Sequence, residues 1–258
     1  MLELGKLLKG KLHENLVGTH ISMTDSISSE ILGQLGYDFI WIDSEHSENG
    51  YTSIRNHLTA VNAGGTPAVV RISRNDYNHV KRILEMGPQG VVFPMVNTAE
   101  EAEAVVRYVS YPPRGIRGFG PLRAVRYGLD DLGDYIAEID GALSCFIQIE
   151  SLEAVENLEE IVKIDRIDGY IFGPCDLSGT VGELNMVFNE TTQSHIRRAI
   201  DILKRNNKPI GISLGTTDIK IQRFWHDLGI NILSVGTDYD YILRGAKKNL
   251  EQVRSFMR

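Results

Sequence analysis

The segment ILEMGPQGVVFPMV, residues 83–96, leads from an amphipathic stretch through a glycine into a short apolar run. Glycine readily adopts the positive φ that ends a helix, and four or five consecutive apolar residues suit a strand buried on both faces. The same order of features, a helix-like stretch, a glycine and then a short apolar run, recurs at residues 31–43, 161–173 and 224–236. This repetition predicts helices that alternate with buried parallel strands.

Further apolar runs bring the number of predicted strands to eight. They lie near residues 16–21, 39–43, 67–71, 90–94, 143–149, 169–173, 209–212 and 231–235. Eight strands alternating with helices predict a single closed (β/α)8 TIM barrel over residues 1–258. A doubly wound sheet is the competing architecture, but no GxGxxG follows the first strand.

Helical patterns separate most of these strands. Thr98 and Glu101 have the spacing of a capping box at the start of one helix, and residues 151–163 predict another. The segment between Pro112 and Leu143 is rich in Gly, Arg and Tyr and predicts an extended loop over one face of the barrel. The stretch from Tyr239 to Met257 predicts a C-terminal amphipathic helix.

Composition narrows the classes of function. A net charge of -7 without a basic stripe argues against general nucleic-acid binding. No apolar stretch is long enough to cross a bilayer, and the N-terminus lacks the pattern of a secretion signal. Cys145 and Cys175 form no CxxC pair, which favours a reducing compartment. We therefore expect a soluble cytoplasmic protein.

Polar side chains stand at several predicted strand ends, where barrel enzymes place their chemistry. Hard oxygen ligands, one imidazole and one guanidinium in such positions suit a divalent cation such as Mg²⁺ or Mn²⁺. Each residue alone also has an ordinary explanation, as a helix N-cap, an ion pair or an exposed histidine. No predicted strand ends in a lysine, which argues against a Schiff-base aldolase. His20, within the first strand, is predicted to be a packed residue of the barrel or its rim. The strand-end residues are Asp43, Glu45, His46, Arg71, Gln148, Glu150 and Asp176.

Six segments together resemble the HpcH/HpaI family of metal-dependent aldolases. The resemblance implies a phosphoenolpyruvate/pyruvate-type barrel that cleaves a 4-hydroxy-2-oxo acid to pyruvate and an aldehyde, reversibly, with Mg²⁺, Mn²⁺ or Co²⁺ as cofactor. It also implies a homo-oligomer, commonly a hexamer, whose subunits exchange the last helix. The segments are DFIWIDSEHS, PAVVRIS, GVVFPMVNTAEEAE, YPPRGIRG, QIES and GPCDLSGTVG, in family order between about Gly18 and Gly236.

The resemblance also implies roles for individual residues. His46 matches the catalytic histidine, Asp43 the acid that orients it, and Arg71 the arginine on the keto oxygen of pyruvate. Glu150 and Asp176 match the metal carboxylates. The remaining matches are Gln148 beside the metal, the backbone of Gly173, Pro174, Cys175 and Asp176 on the pyruvate carboxylate, and Glu85 where some members reach a neighbouring subunit.

Two other functions remain open from the sequence. One is a decarboxylase or another enzyme that forms the same enolate from a 2-oxo acid. The other is a non-catalytic binder of 2-oxo acids, which would need neither His46 nor a metal. The residues Ser47, Glu48 and Asn49 after the histidine depart from the family pattern and leave the aldehyde open.

Overall fold

Eight parallel strands close into a barrel in their sequence order, and β8 pairs back onto β1. The computed structural model describes residues 1–257. The predicted (β/α)8 barrel is confirmed, with every strand boundary within about two residues of its prediction. The strands are β1 (Leu16–Ile21), β2 (Phe39–Asp43), β3 (Ala68–Arg71), β4 (Gly90–Phe93), β5 (Ser144–Ile149), β6 (Gly169–Phe172), β7 (Ile210–Leu214) and β8 (Ile232–Thr237).

Helices surround the barrel and cover its outer face. A 3₁₀ helix, Arg123–Gly128, lies between α5 and α6. The helices are α1 (Leu2–Gly10), α2 (Ile27–Leu32), α3 (Tyr51–Ala63), α4 (Tyr77–Glu85), α5 (Ala99–Val109), α6 (Leu132–Ala142), α7 (Leu152–Glu156), α8 (Leu158–Ile161), α9 (Pro174–Thr180), α10 (Glu190–Arg205), α11 (Ile219–Asp227) and α12 (Asp238–Phe256).

Strand side chains alternate between the barrel interior and the surrounding helices. The interior holds a packed apolar layer to which α1 contributes Leu8, so that this helix closes the N-terminal end of the barrel. The opposite end of the barrel, at the carboxyl ends of the strands, is left for polar residues. The interior layer consists of Leu8, Leu12, Leu16, Phe39, Trp41, Val69, Val92, Phe146, Ile171 and Ile232.

The segment between Pro112 and Leu143 differs from the predicted extended loop. It contains the 3₁₀ helix and α6, and Arg123 fixes it by donating to Met86 O at 2.7 Å and to Leu58 O at 3.0 Å. Met86 caps the C-terminal end of α4 and Leu58 lies in the C-terminal half of α3, and both helices end at the N-terminal edge of the barrel. The segment therefore lies largely away from the strand ends that carry the site.

Two helix predictions have different outcomes. The capping box is confirmed, since Glu101 N donates to Thr98 Oγ1 at 3.2 Å and Thr98 N donates to Glu101 Oε2 at 3.2 Å. The single helix predicted over residues 151–163 is instead two short helices, α7 and α8, separated at Asn157.

The C-terminal helix is present as α12, and it extends away from the barrel. Asp238 is its buried residue within the described part of the chain, while Ile242, Leu243 and Leu250 are each about half exposed or more. Within residues 1–257 we find no helix with both the length and the apolar character needed to span a membrane.

Candidate active site

Arg71 and Asp43 form a buried ion pair at the ends of β3 and β2. The strand register places the two residues side by side. Arg71 Nε donates to Asp43 Oδ1 at 2.9 Å and Nη2 donates to Asp43 Oδ2 at 2.6 Å, so the planar guanidinium is held by two parallel bonds. Burial alone would raise the pKa of Asp43, but the hydrogen bonds and charge of Arg71 lower it below its ordinary value.

Asp43 therefore orients Arg71, and the predicted contact with the His46 imidazole is not formed. Both oxygens of Asp43 are taken by the guanidinium, and the backbone N–H groups of Glu45 and His46 donate to Oδ1 at 2.9 and 3.4 Å. The imidazole lies instead with Nε2 3.8 Å from Glu45 Oε2, and its side chain is 64% exposed. The acid that accompanies His46 is thus Glu45.

Glu45 links the histidine to the arginine. Its Oε2 forms an ion pair with Arg71 Nη1 at 2.9 Å but lies outside hydrogen-bonding geometry, so this buried oxygen has no hydrogen-bond partner. Burial raises the pKa of Glu45, while the charges of Arg71 and His46 oppose the increase. An unpartnered buried carboxylate oxygen at a strand end can accept a hydrogen bond from a substrate or a bound water.

β5 ends in a second connected pair, Gln148 and Glu150. Gln148 Nε2 donates to Glu150 Oε2 at 2.7 Å, and the backbone N–H of Met95 donates to Oε1 at 2.7 Å. Gln148 Oε1 faces Arg71 Nη1 at 3.4 Å, which joins the two pairs into one network. Burial raises the pKa of Glu150 to about 7, against the opposing effect of the Met95 N–H.

The turn after β6 brings a fourth group to the same end of the barrel. Gly173 precedes Pro174, the first residue of α9, and Asp176 lies in the first turn of that helix. A Cβ on Gly173 would lie 2.3 Å from Glu150 Oε2, so only glycine allows this turn to pass beside the carboxylate. Pro174 is buried, while Cys175 and Asp176 are exposed toward solvent.

The residues present fit a divalent cation at Glu150 and Asp176. The negative charges of Glu45 and Asp176 both raise the pKa of Glu150, so this end of the barrel favours a bound cation. Within the described residues 1–257, no three His, Cys, Asp or Glu side chains are arranged to hold a metal. Two carboxylates completed by water and substrate oxygens are nevertheless a donor set that Mg²⁺ accepts.

The structure thus brings most of the predicted site residues to one end of the barrel, but not Glu85. Glu85 is the last residue of α4, where its Oε1 lies beside Gly120, and it belongs to the N-terminal edge of the barrel. His20 is buried, as predicted for a packed residue of the barrel or its rim, but its contact with Ser213, whose Oγ lies 3.0 Å from His20 Nε2, was not predicted. Because side chains alternate along a strand, His20 lies on the same face as Gly18 and Leu16, two and four residues earlier. This spacing was the signal available in the sequence.

Comparisons with known proteins agree with this architecture. A model of the HpcH/HpaI aldolase/citrate lyase family matches residues 17–243. The chain is 34% identical over 231 residues to a 4-hydroxy-2-oxo-heptane-1,7-dioate aldolase of Klebsiella pneumoniae, covering 90% of this chain and 86% of that protein. It is 33% identical over 234 residues to a hydroxypyruvate/pyruvate aldolase of Roseobacter denitrificans, covering 91% of each.

A solved structure provides the matching comparison of the fold. An HpcH/HpaI aldolase/citrate lyase family protein from Burkholderia cenocepacia superposes with a TM-score of 0.90 at 28% identity, over 96% of this chain and 98% of that one. The family match and the aldolase relatives make the chain an enzyme of the lyase class. The chain belongs to the HpcH/HpaI aldolase/citrate lyase family, and the resemblance seen in the sequence is confirmed.

Proposed function

We propose that the protein is a divalent-metal-dependent aldolase that cleaves a 4-hydroxy-2-oxo acid to pyruvate and an aldehyde and also catalyses the reverse addition. The observation that carries this proposal is the placement of Arg71. Its guanidinium is fixed by Asp43 and lies between Glu45 and Gln148, at the end of the barrel where Glu150 also lies.

Arg71 binds the keto oxygen of the substrate. When the bond between carbons 3 and 4 breaks, negative charge develops on that oxygen, and a cation already held in place stabilises it without reorganisation. Asp43 keeps the guanidinium oriented, and Gln148 contributes the neighbouring amide. The backbone N–H groups of Cys175 and Asp176, at the start of α9, bind the carboxylate of pyruvate; Pro174 has no N–H, and that of Gly173 donates to Ile149 O at 3.4 Å.

Glu150 and Asp176 would hold the cation, with Gln148 beside it. When bound, Mg²⁺, Mn²⁺ or Co²⁺ supplies a second positive charge at the keto and carboxylate oxygens of the substrate. The buried Glu150, whose pKa burial raises, is the carboxylate that a neighbouring cation keeps ionised.

His46 accepts the proton of the 4-hydroxyl group. Its imidazole is exposed at the mouth of the barrel, and Glu45 offsets the positive charge that the ring acquires. A base is required because the hydroxyl must become a carbonyl as the carbon–carbon bond breaks. Glu45 thereby takes the place that the sequence assigned to Asp43.

The experiment that tests this proposal compares two reactions in the same variants. Asp176→Ala is expected to abolish retro-aldol cleavage and the response to added Mn²⁺ after chelation. His46→Ala is expected to lose retro-aldol cleavage while it retains decarboxylation of oxaloacetate, which needs no proton removed before the bond breaks. Asp227→Ala and His226→Ala, on the exposed end of α11, are the matched controls.

Full retro-aldol activity of Asp176→Ala in the presence of chelator would refute the metal requirement. Equal losses of both reactions in His46→Ala would refute the base.

We further propose a homo-oligomer, a hexamer, in which α12 docks on a neighbouring subunit. The exposed apolar residues of α12 support this assembly. So does an apolar groove of about 330 Å³ between α2 and α12, which Met23, Ile27, Ile31 and Ile242 help to line.

The free thiols of Cys145 and Cys175 are compatible with the proposed cytoplasmic location.

A further inference from the structure

A polar wall lies on the side of the barrel mouth formed by β7, β8 and β1. It consists of His20, Ser213 and Ser234, one residue from each strand. β1 is four strands from β5 in the ring of eight, so this wall faces Gln148 and Glu150 across the mouth. Ser213 points inward, because a Cβ on Gly211, two residues earlier, would contact the interior residue Ile171.

Hydrogen bonds settle which atoms of His20 and Ser213 donate and which accept. His20 Nδ1 lies 2.9 Å from Gly236 O, a carbonyl that can only accept, so Nδ1 carries the proton. Nε2 is then an acceptor, and Ser213 Oγ, 3.0 Å away, donates its hydrogen to it. Burial lowers the pKa of His20 to about 4, so the ring is neutral near pH 7 and keeps this arrangement.

Ser213 consequently presents only an acceptor to the barrel mouth. Its single hydrogen is committed to His20, and its side chain is partly exposed whereas His20 and Ser234 are buried. A hydroxyl group of a ligand can donate to the free lone pairs of Ser213 Oγ. A carboxylate, which only accepts hydrogen bonds, cannot.

The charges around the wall also disfavour a second anion on the substrate. The charged side chains that act on the His20 ring are Arg71, Asp43 and Asp238. Arg71 uses Nε and Nη2 for Asp43, and its remaining nitrogen, Nη1, faces the keto oxygen in the proposed mechanism, so Arg71 is not available to a second anion. Asp238 is an anion whose oxygens accept from the backbone N–H groups of Ser22 and Met23.

The pyruvate half of the substrate occupies the other side of the mouth. Arg71 is on β3, Glu150 follows β5 and Asp176 follows β6, whereas His46, the proposed base for the 4-hydroxyl group, follows β2. The group released as aldehyde therefore begins beside the loop after β2 and extends over the adjoining strands β1, β8 and β7. The part of the aldehyde beyond its reacting carbonyl therefore passes Ser213.

We propose that Ser213, positioned by His20, selects the aldehyde by accepting a hydrogen bond from its hydroxyl group. The preferred partner of pyruvate is then a short hydroxyaldehyde, and an aldehyde that ends in a carboxylate is a poor substrate. This inference rests on the proposed aldolase function and specifies its substrate class.

The test measures kcat/KM for the addition of pyruvate to glycolaldehyde, acetaldehyde and succinic semialdehyde in the presence of Mn²⁺. Glycolaldehyde and acetaldehyde differ by a single hydroxyl group. The parent enzyme is expected to prefer glycolaldehyde by about tenfold or more, the factor for one hydrogen bond in a site built to receive it. Ser213→Ala is expected to reduce this ratio toward one, and Ser213→Thr is expected to retain it.

His20 is tested by the same ratio. His20→Gln offers an amide oxygen that can accept from Ser213 and is expected to keep the preference, whereas His20→Leu is expected to lose it. Ser194→Ala, at an exposed position of α10 away from the barrel mouth, is the matched control. A parent ratio near one, an unchanged ratio in Ser213→Ala, or a preference for succinic semialdehyde would each overturn the inference.

Failure of the aldolase proposal would be visible separately. The parent enzyme is expected to exchange the methyl protons of pyruvate in D₂O with Mn²⁺ and without any aldehyde. Exchange accompanied by no preference among aldehydes would overturn only the role of Ser213. Absence of exchange and of every addition product would overturn the proposed function itself.

Discussion

Replacing Asp43 tests whether its partner is Arg71, as the structure has it, or His46, as the sequence suggested. Asp43→Ala removes two hydrogen bonds of 2.9 and 2.6 Å from a guanidinium whose side chain is only 8% exposed. It leaves Arg71 with Glu45 as its one remaining carboxylate partner. Breaking a buried pair from one side costs about 3–5 kcal/mol, because the other charge stays buried without compensation.

Arg71→Met is expected to cost a similar amount for the same reason. The double variant no longer leaves either charge unpaired, so its cost is expected to fall short of the sum of the single costs by about 1–3 kcal/mol. In a double-mutant cycle of Asp43→Ala and His46→Ala, the two costs in free energy of unfolding are expected to add within about 0.5 kcal/mol. The exposed imidazole makes no side-chain bond to Asp43 that could couple the two residues.

Equilibrium unfolding in urea measures these free energies. Chelator and a fixed protein concentration keep metal binding and assembly constant, and circular dichroism together with the fluorescence of Trp41 and Trp225 tests whether the transitions coincide. The pH is held near 7.5, because the stability contributed by Asp43 is present above its ordinary pKa and is lost as the pH falls through its lowered folded-state pKa. Additive costs for Asp43 and Arg71, or stronger coupling of Asp43 to His46, would refute the assignment.

Two further predictions concern acid stability and assembly. The folded state disfavours protonation of His20, whose pKa falls from 6.5 to about 4, so the parent is expected to lose up to roughly 3 kcal/mol from this group as the pH drops through that window. His20→Gln is expected to show a smaller loss in urea unfolding at pH 7.5 and pH 4.5, and an equal loss would contradict the buried neutral ring. Truncation before Tyr239 is expected to convert an oligomer into smaller species in light scattering, because it removes the exposed apolar residues of α12. A full-length monomer at micromolar concentration would contradict the proposed assembly.

Local patterns were sufficient to predict the barrel. Runs such as residues 90–94 are apolar at every position because parallel strands are buried on both faces. Consecutive residues are therefore enough to identify such a strand. The capping box at Thr98 is likewise local, since both of its hydrogen bonds join residues three apart. The place of the site could also be inferred, because the predicted strands fix where each strand ends and barrel enzymes carry their chemistry at those ends.

The segment between Pro112 and Leu143 was not predictable in this way. α6 begins where Asp131 accepts from the backbone N–H of Asp134, a signal that a run rich in glycine and arginine obscures. Its position depends on packing against α1, more than a hundred residues away in the sequence. Helices of this length gain most of their stability from such tertiary contacts.

The sequence predicted most of the residues at the mouth of the barrel, with Ser213 omitted and Glu85 lying at the opposite edge, whereas their pairing follows from the folded barrel. Asp43 and His46 are three residues apart, so their proximity in the sequence suggests that they interact. The register between β2 and β3 instead sets Asp43 beside Arg71, 28 residues further along the chain. His20 depends in the same way on Ser213 and Gly236, from β7 and β8. Hydrogen bonds across a closed barrel depend on strand register and ring order, and neither is encoded in the spacing of neighbouring residues.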